Sequence, residues 1–315
     1  MRALVITDSD GPSGLSIQEV PDPVPPKGHV LIAVKAVGLN RADLLQSLGL
    51  YPAPPGAPRD IPGLEFMGVV EKSGGGIKKG ERVMGLVPGG AFAEKLTASP
   101  KHLLRVPKTV SDTDAAAIAE AYTTAWDAVW VQAGIKRGQR LLIHAVGSGV
   151  GTAAVQLARA LGVTSVGTSR TQAKLDQAKP DVAILAGDPP VFAEKSGPID
   201  VCLDLVGGPY FGETVDAMAP RGTIMVVGVT GGPSAEVPLR SVLGKRLRVI
   251  GTTLRSRDDR ERATITAKFA RELLPLFKKG TLKAVVSSVR PMADAVQAFE
   301  QMAGNDTFGK TVLTW

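Results

Sequence analysis

The first third of the chain alternates apolar and polar residues in short runs broken by glycine and proline. The runs MRALVI, HVLIAVKAVGLN, GVVEKSGGG, ERVMGL and AFAEKL each predict a short strand, several of them leaving through a small-residue turn. Together they predict a compact, mostly β domain with irregular loops. Near Ser111 the pattern changes. SDTDAAAIAEAYTTAWDAVWVQAG opens on capping residues, carries acids early and then shows helical apolar spacing. From there strands and helices alternate: RLLIHAV, GTAAVQLARALG, TSVGTS, TQAKLDQAK, PIDVCLDLVGG, GTIMVVGV and LRVIGTTL. That alternation predicts an α/β fold with a doubly wound parallel sheet covered by helices on both faces. Beyond Arg255, ATITAKFARELLPLFKKG and the segment from Asp294 to Met302 predict helices, and KTVLTW predicts a last strand.

Length and composition narrow the picture a little. A chain of 315 residues with 44% apolar and 21% charged residues is long enough for two domains with ordinary cores. Cys202 is the only cysteine, which rules out an internal disulfide and fits a reducing, cytoplasmic setting. MRALVITDSD does not read as a signal peptide, and no apolar run approaches the length of a membrane span. The net charge of +7, from 37 basic and 30 acidic residues, is dispersed. It suits a polyanionic cofactor as well as it suits a nucleic acid.

The strongest local chemistry lies in RLLIHAVGSGVGTAAVQLARALG. A buried strand, Leu141 to Val146, enters a turn rich in glycine, and a helix follows. Gly147, Gly149 and Gly151, with Ser148 and Val150 between them, predict a backbone cradle for a pyrophosphate at the helix N-terminus. The run is G-S-G-V-G rather than strict G-x-G-x-x-G, so close helix–strand packing is the competing explanation of the glycines. The next strand, TSVGTS, ends in Ser169, Arg170 and Thr171, with Lys174 one turn further on. An NAD site places an acid there for the ribose 2′-hydroxyl. A hydroxyl and two cations instead suit a 2′-phosphate, which predicts NADPH. The strand ends at Asp204 to Gly208 and Val227 to Val229 point to the same edge, with Gly228 and Val229 expected near the nicotinamide half and Asp204 read as a buried structural acid.

A catalytic zinc needs Cys, His and carboxylate ligands, and a structural zinc needs four thiolates. His29, His102 and His144 are widely separated and none has ligand spacing, so no metal is expected. His144, on a buried strand, reads as a satisfied core residue. Without a Lewis acid, the acceptor has to be polarised already: a quinone, an enone or an enal.

The segments GLNRADLLQSLGLYPAPPGAPRDIPGLEFMGVV, GERVMGLVPGGAFAEKL, AAAIAEAYTTAW, IHAVGSGVGTAAVQLARALG, TTLRSRD and GKTVL resemble the quinone oxidoreductase branch of the zinc-independent medium-chain dehydrogenase/reductases, over essentially the whole chain. The family's zinc-binding G-H-E stands here as Gly63-Leu64-Glu65. The resemblance implies a GroES-like catalytic domain formed by 1–119 and 256–315, and a Rossmann domain at 120–255 inserted within it, with NADPH in the cleft between. It also implies that Asn40 contacts the nicotinamide ribose and borders the substrate, that Tyr51 lines the pocket, and that Thr124 and Leu254 meet the cofactor. On this reading Asn40 and Tyr51 are the catalytic candidates, and hydride passes from NADPH to a quinone or enone. A 2-alkenal or enoyl reductase shares every one of these features. An NADPH-binding protein that binds RNA and does little catalysis is the alternative from another class, although aromatics are 4% of residues and no aromatic–basic platform is evident. LRVIGTTL, as an apolar last strand of its sheet, predicts a homodimer through that edge.

Overall fold

A computed structural model describes residues 1–315. The strands in chain order are β1 (Arg2–Ile6), β2 (Leu15–Glu19), β3 (Val30–Gly38), β4 (Glu65–Lys72), β5 (Arg82–Leu86), β6 (Lys95–Ala98), β7 (Leu103–Arg105), β8 (Arg140–Ile143), β9 (Thr164–Ser169), β10 (Val182–Leu185), β11 (Ile199–Asp204), β12 (Met218–Val226), β13 (Arg248–Gly251), β14 (Val286–Pro291) and β15 (Lys310–Thr314). The chain divides into two compact units, Met1–Thr123 with Leu254–Trp315, and Thr124–Thr253.

In the first unit a seven-stranded sheet runs β14-β15-β3-β4-β5-β7, with β6 also paired to β3, and β1 and β2 form a separate hairpin. Apolar side chains that alternate along these strands meet in a core around Phe66, Phe92 and Phe299, with Phe92 and Phe299 in tilted contact at 5.8 Å. The antiparallel register decides which polar residues meet. Gly38 lies opposite Val312 on β15, and Val37 lies opposite Phe66 on β4. Continuing those two ladders past the end of β3 brings Asn40 level with Lys310 and Gly38 level with Glu65.

The second unit is one parallel sheet in the order β10-β9-β8-β11-β12-β13. Counted within the unit, that is strand order 3-2-1-4-5-6, the doubly wound arrangement whose chain direction reverses between β8 and β11. Ligands of such sheets bind outside the carboxyl ends of the strands at that reversal. The helix Gly149–Leu161 follows β8 and ends on Gly162 in the left-handed region (φ 72°), as its sequence predicts.

The structure departs from the sequence expectations in several places. The expected single helix after Ser111 is broken into Asp112–Ala115 and Ala119–Trp126, and continues as a π-helical turn, Asp127–Gln132. Asn40 begins a helix, Arg41–Ser47, and does not merely end a strand, because Asp43 reaches back to accept the Asn40 backbone N–H at 2.8 Å. Strands β2, β7, β10 and β14 also go beyond the sequence expectation. No helix is long and apolar enough to cross a membrane.

Candidate active site

The glycine turn is built by the end of β8. Ala145 takes a left-handed φ of 49°, an uncommon conformation for a residue with a Cβ. Ser148 then caps the helix, and its hydroxyl accepts the Gly151 N–H at 3.0 Å. The N–H groups of Gly149 and Val150, at the first helical positions, have no intrahelical acceptor. They supply two donors, with the helix dipole behind them, for an anion such as a pyrophosphate. Gly151 also serves packing: a Cβ there would lie 2.6 Å from the Ala145 carbonyl oxygen and 2.7 Å from that of Val146. The packing explanation of the glycines thus holds for one of them without displacing the donor argument for its neighbours.

Gly147 brings the turn after β8 against the helix that follows β9. A Cβ on it would meet Lys174 Cδ at 2.9 Å, so the lysine stem lies directly against the turn. Ser169, at the end of β9, is buried and its hydroxyl accepts the Thr171 N–H at 3.2 Å, while Arg170 is exposed. On the other side of the strand reversal, Asp204 is buried and its Oδ1 accepts the N–H groups of Val206 (2.9 Å) and Gly207 (2.8 Å). It is therefore a structural acid that holds the turn after β11. Gly207 pairs with Gly232 in an isolated bridge, and Gly228 packs its α-carbon toward the Leu205 carbonyl, so the loops after β11 and β12 support each other. Val229 is half exposed at that edge. Thr124, at the start of this unit, is buried.

His144 is satisfied in the core. Its Nδ1 lies 2.9 Å from the Thr168 hydroxyl and its Nε2 lies 2.8 Å from that of Thr214. Complete burial pushes its pKa down to about 4, so it is neutral at ordinary pH.

The first unit holds Asn40, Tyr51 and Leu254. Asn40 is locked by its neighbours. Its Nδ2 donates to the Gly38 carbonyl (3.0 Å) and to Glu65 Oε1 (3.2 Å), while its Oδ1 accepts from Lys310 Nζ (2.5 Å). Only this orientation of the carboxamide satisfies all three partners. Lys310 in turn pairs with Glu65 Oε1 at 2.7 Å and donates to the Leu39 carbonyl at 2.7 Å, with both side chains almost wholly buried. Glu65 Oε2 accepts the Glu120 backbone N–H at 2.8 Å. Asp43 is fully buried; burial drives its carboxyl up to about 7, against the pull of the Asn40 and Gly63 N–H groups and of Lys310. Both N–H bonds of Asn40 are thus spent inside the protein. The side chain can still accept a hydrogen bond but has none left to donate to a substrate oxygen, which narrows the role expected of it.

Tyr51 is held from far along the chain. Arg255 is buried, stacks over the Tyr51 ring at 5.0 Å and donates to the Tyr51 carbonyl at 2.9 Å. The same guanidinium reaches the Pro88 carbonyl at 2.7 Å and Gln46 Oε1 at 2.5 Å. Burial, then the nearby Glu120, raises the Tyr51 hydroxyl pKa while Arg255 lowers it, and the net shift is upward. Tyr51 is therefore protonated at neutral pH and can donate. The sequence points to Tyr51 and Leu254 but not to Arg255, which holds Tyr51. The only local signal was its place in TTLRSRD. Lys310, likewise, lay unremarked within GKTVL.

A glycine turn at the reversal of a doubly wound sheet, joined to a GroES-like unit, defines an oxidoreductase that uses a nicotinamide cofactor. Comparison with known proteins agrees. Residues 26–108 match the alcohol dehydrogenase GroES-like domain, and residues 174–313 match the zinc-binding dehydrogenase family. The chain is 30% identical to the quinone oxidoreductase of Lama guanicoe, over 99% of this chain and 97% of that one. It is 28% identical to the acryloyl-coenzyme A reductase of Sulfurisphaera tokodaii, over 99% of both. The structure of mycobacterial Rv1454c complexed with NADPH superposes with a TM-score of 0.90 at 27% identity, covering all of both chains. The chain belongs to the quinone oxidoreductase branch of the medium-chain dehydrogenase/reductases.

The zinc in one of those family descriptions does not fit the residues present. No three His, Cys, Asp or Glu side chains converge as a ligand set. Cys202 is buried in the second unit's core, and Leu64 stands where the zinc-dependent members carry histidine. A nicotinamide dinucleotide does fit, on the free donors of Gly149 and Val150.

Proposed function

We propose that the protein is an NADPH-dependent reductase of quinones and related conjugated carbonyls. The observation that carries this reading is the pairing of Lys174 with the glycine turn, beside Ser169 and Arg170 and with no carboxylate at the end of β9. Those residues would hold the 2′-phosphate, while the N–H groups of Gly149 and Val150 would hold the pyrophosphate. Gly228, Val229, Thr124 and Leu254 complete the proposed cofactor contacts. When bound, NADPH supplies a hydride.

The protein's own residues then orient and polarise. Asn40, with its amide donors used up, would accept from a ribose hydroxyl. Tyr51 donates to the acceptor oxygen that gains the electron pair, and bulk water replaces the proton. A carbonyl already polarised by conjugation is the acceptor that asks least of these residues. Tyr51→Phe is expected to lower kcat/KM for a naphthoquinone by roughly tenfold, the worth of one hydrogen bond that strengthens as charge develops, and to leave NADPH affinity in place. Equal kcat/KM in the two proteins would remove Tyr51 from the chemistry.

The acryloyl-coenzyme A reductase relative favours one second reading, a 2-alkenal or enoyl reductase with the same residues in the same roles. Turnover on 1,4-naphthoquinone, phenanthrenequinone and 2-alkenals ranks the two. The reading also includes a homodimer, formed along β13. That strand pairs only with β12, and Val249, Leu239 and Leu243 near it are 48%, 73% and 79% exposed. Light scattering is expected to give twice the 32.8 kDa chain mass, and a monomer would refute the edge pairing.

A further inference from the structure

The first unit contains an open cleft lined by both apolar and cationic side chains. Its wall is divided. Leu64, Leu86 and Val87 make one side apolar, while Arg255, Arg257 and Arg262 line the other. Glu120 is the one carboxylate in the lining. Of the other acids nearby, Asp259 is engaged by His102 at 3.2 Å, and Asp43 is turned to the N–H groups of Asn40 and Gly63.

Neither Arg255 nor Arg262 is in an ion pair, although Glu120 and Asp43 lie close enough to Arg255 to act on its charge. Arg255 is 8% exposed, yet it bonds only to the neutral oxygens of Tyr51, Pro88 and Gln46. Those bonds use three of its five N–H groups. Arg262, in the helix Asp259–Glu272, forms no ion pair, and its buried Nε has no hydrogen-bond partner. A buried donor without an acceptor costs free energy, and such groups are kept where something else meets them. Guanidiniums on a partly buried wall also concentrate anions.

We propose that this cleft is an anion-recognising acceptor pocket, built for conjugated carbonyl compounds that carry a carboxylate, sulfonate or phosphate on an apolar ring or chain. The apolar side takes the ring, Arg262 takes the anionic group, and Arg255 joins that subsite to Tyr51, over whose ring it stacks. The word acceptor rests on the reductase reading above; the anion site itself does not.

Two measurements separate the two claims. The first is the ratio of kcat/KM for 1,4-naphthoquinone-2-sulfonate to that for 1,4-naphthoquinone, with NADPH. Once corrected for the intrinsic reactivity of the two quinones with dithionite, it should favour the sulfonate at least tenfold in the wild type. The preference should fall about tenfold in Arg262→Gln and be largely kept in Arg262→Lys. The second is calorimetric binding of 2-naphthalenesulfonate, which cannot accept hydride. It should weaken at least fivefold in Arg262→Gln and with added salt. No sulfonate preference together with unchanged naphthalenesulfonate binding in Arg262→Gln would overturn the anion pocket. Retained, Arg262-dependent naphthalenesulfonate binding with no quinone turnover would uphold the pocket and sink the reductase reading.

Discussion

Lys310→Met is expected to destabilise the protein by about 3–5 kcal/mol, the cost of stripping one partner from a buried ion pair. Glu65 is completely buried, and the lysine is its only cation. Removing Nζ leaves Glu65 Oε1 facing only the Asn40 amide, and orphans the Leu39 carbonyl and Asn40 Oδ1 as well. For a chain of this size the loss corresponds to a fall in Tm of roughly 6–15 °C. The double variant Glu65→Gln, Lys310→Met removes both charges and should recover at least half of the loss, which identifies the unpaired charge as the cause. A single variant that unfolds within about 1 kcal/mol of the wild type, a typical surface-pair effect, would show that the pair is solvated.

The second large effect concerns the cofactor. Arg170→Ala combined with Lys174→Ala is expected to weaken NADPH binding roughly 100-fold, at about 1.5 kcal/mol for each charge-assisted hydrogen bond lost. NADH, which lacks the 2′-phosphate, should bind the double variant and the wild type alike. The two side chains are not equal partners. The Lys174 stem is packed against Gly147, which limits where its ammonium group can reach, whereas Arg170 is exposed. Lys174→Ala alone should therefore account for more than half of the loss. Fluorescence titration of the bound nucleotide measures both constants. A double variant that loses NADPH and NADH equally would mean that these cations support the fold of the turn rather than the phosphate.

Much of the second unit was legible because its signals are local. The strand–turn–helix at Leu141 to Leu161 carries its own cap, its own glycines and a glycine stop, all within about twenty residues of one another. The cation that approaches the turn, Lys174, lies only a short step further on. The first unit hides its site in long-range register. Lys310 meets Asn40 because β15 runs antiparallel to β3, and Arg255 meets Tyr51 across 204 positions of chain. No periodicity in either segment announces those meetings. Short strands such as Val182–Leu185 escaped for a related reason: four residues at a sheet edge give too little alternation to read. The pattern after Ser111 predicts one continuous helix because alanine favours helix at every position. The break falls where the chain packs Ala115 to Ala119 without exposure, so tertiary packing overrides propensity there.

Asn40 illustrates what geometry adds to a motif. Its position was legible, but its chemistry follows from the Gly38 carbonyl and Glu65, which take both of its donors, and from Lys310, which donates to its oxygen. On the proposed reading, the donor toward an acceptor oxygen is then Tyr51.

The central claim is that this chain spends NADPH on conjugated carbonyls. It is tested most directly by mixing the protein with NADPH and 1,4-naphthoquinone under argon and following the absorbance of the reduced nicotinamide. The account predicts a loss of absorbance whose rate scales with protein concentration and is much slower with NADH at the same level. Bound NADPH that stays reduced with the quinone, and with phenanthrenequinone and 2-alkenals in its place, would contradict it.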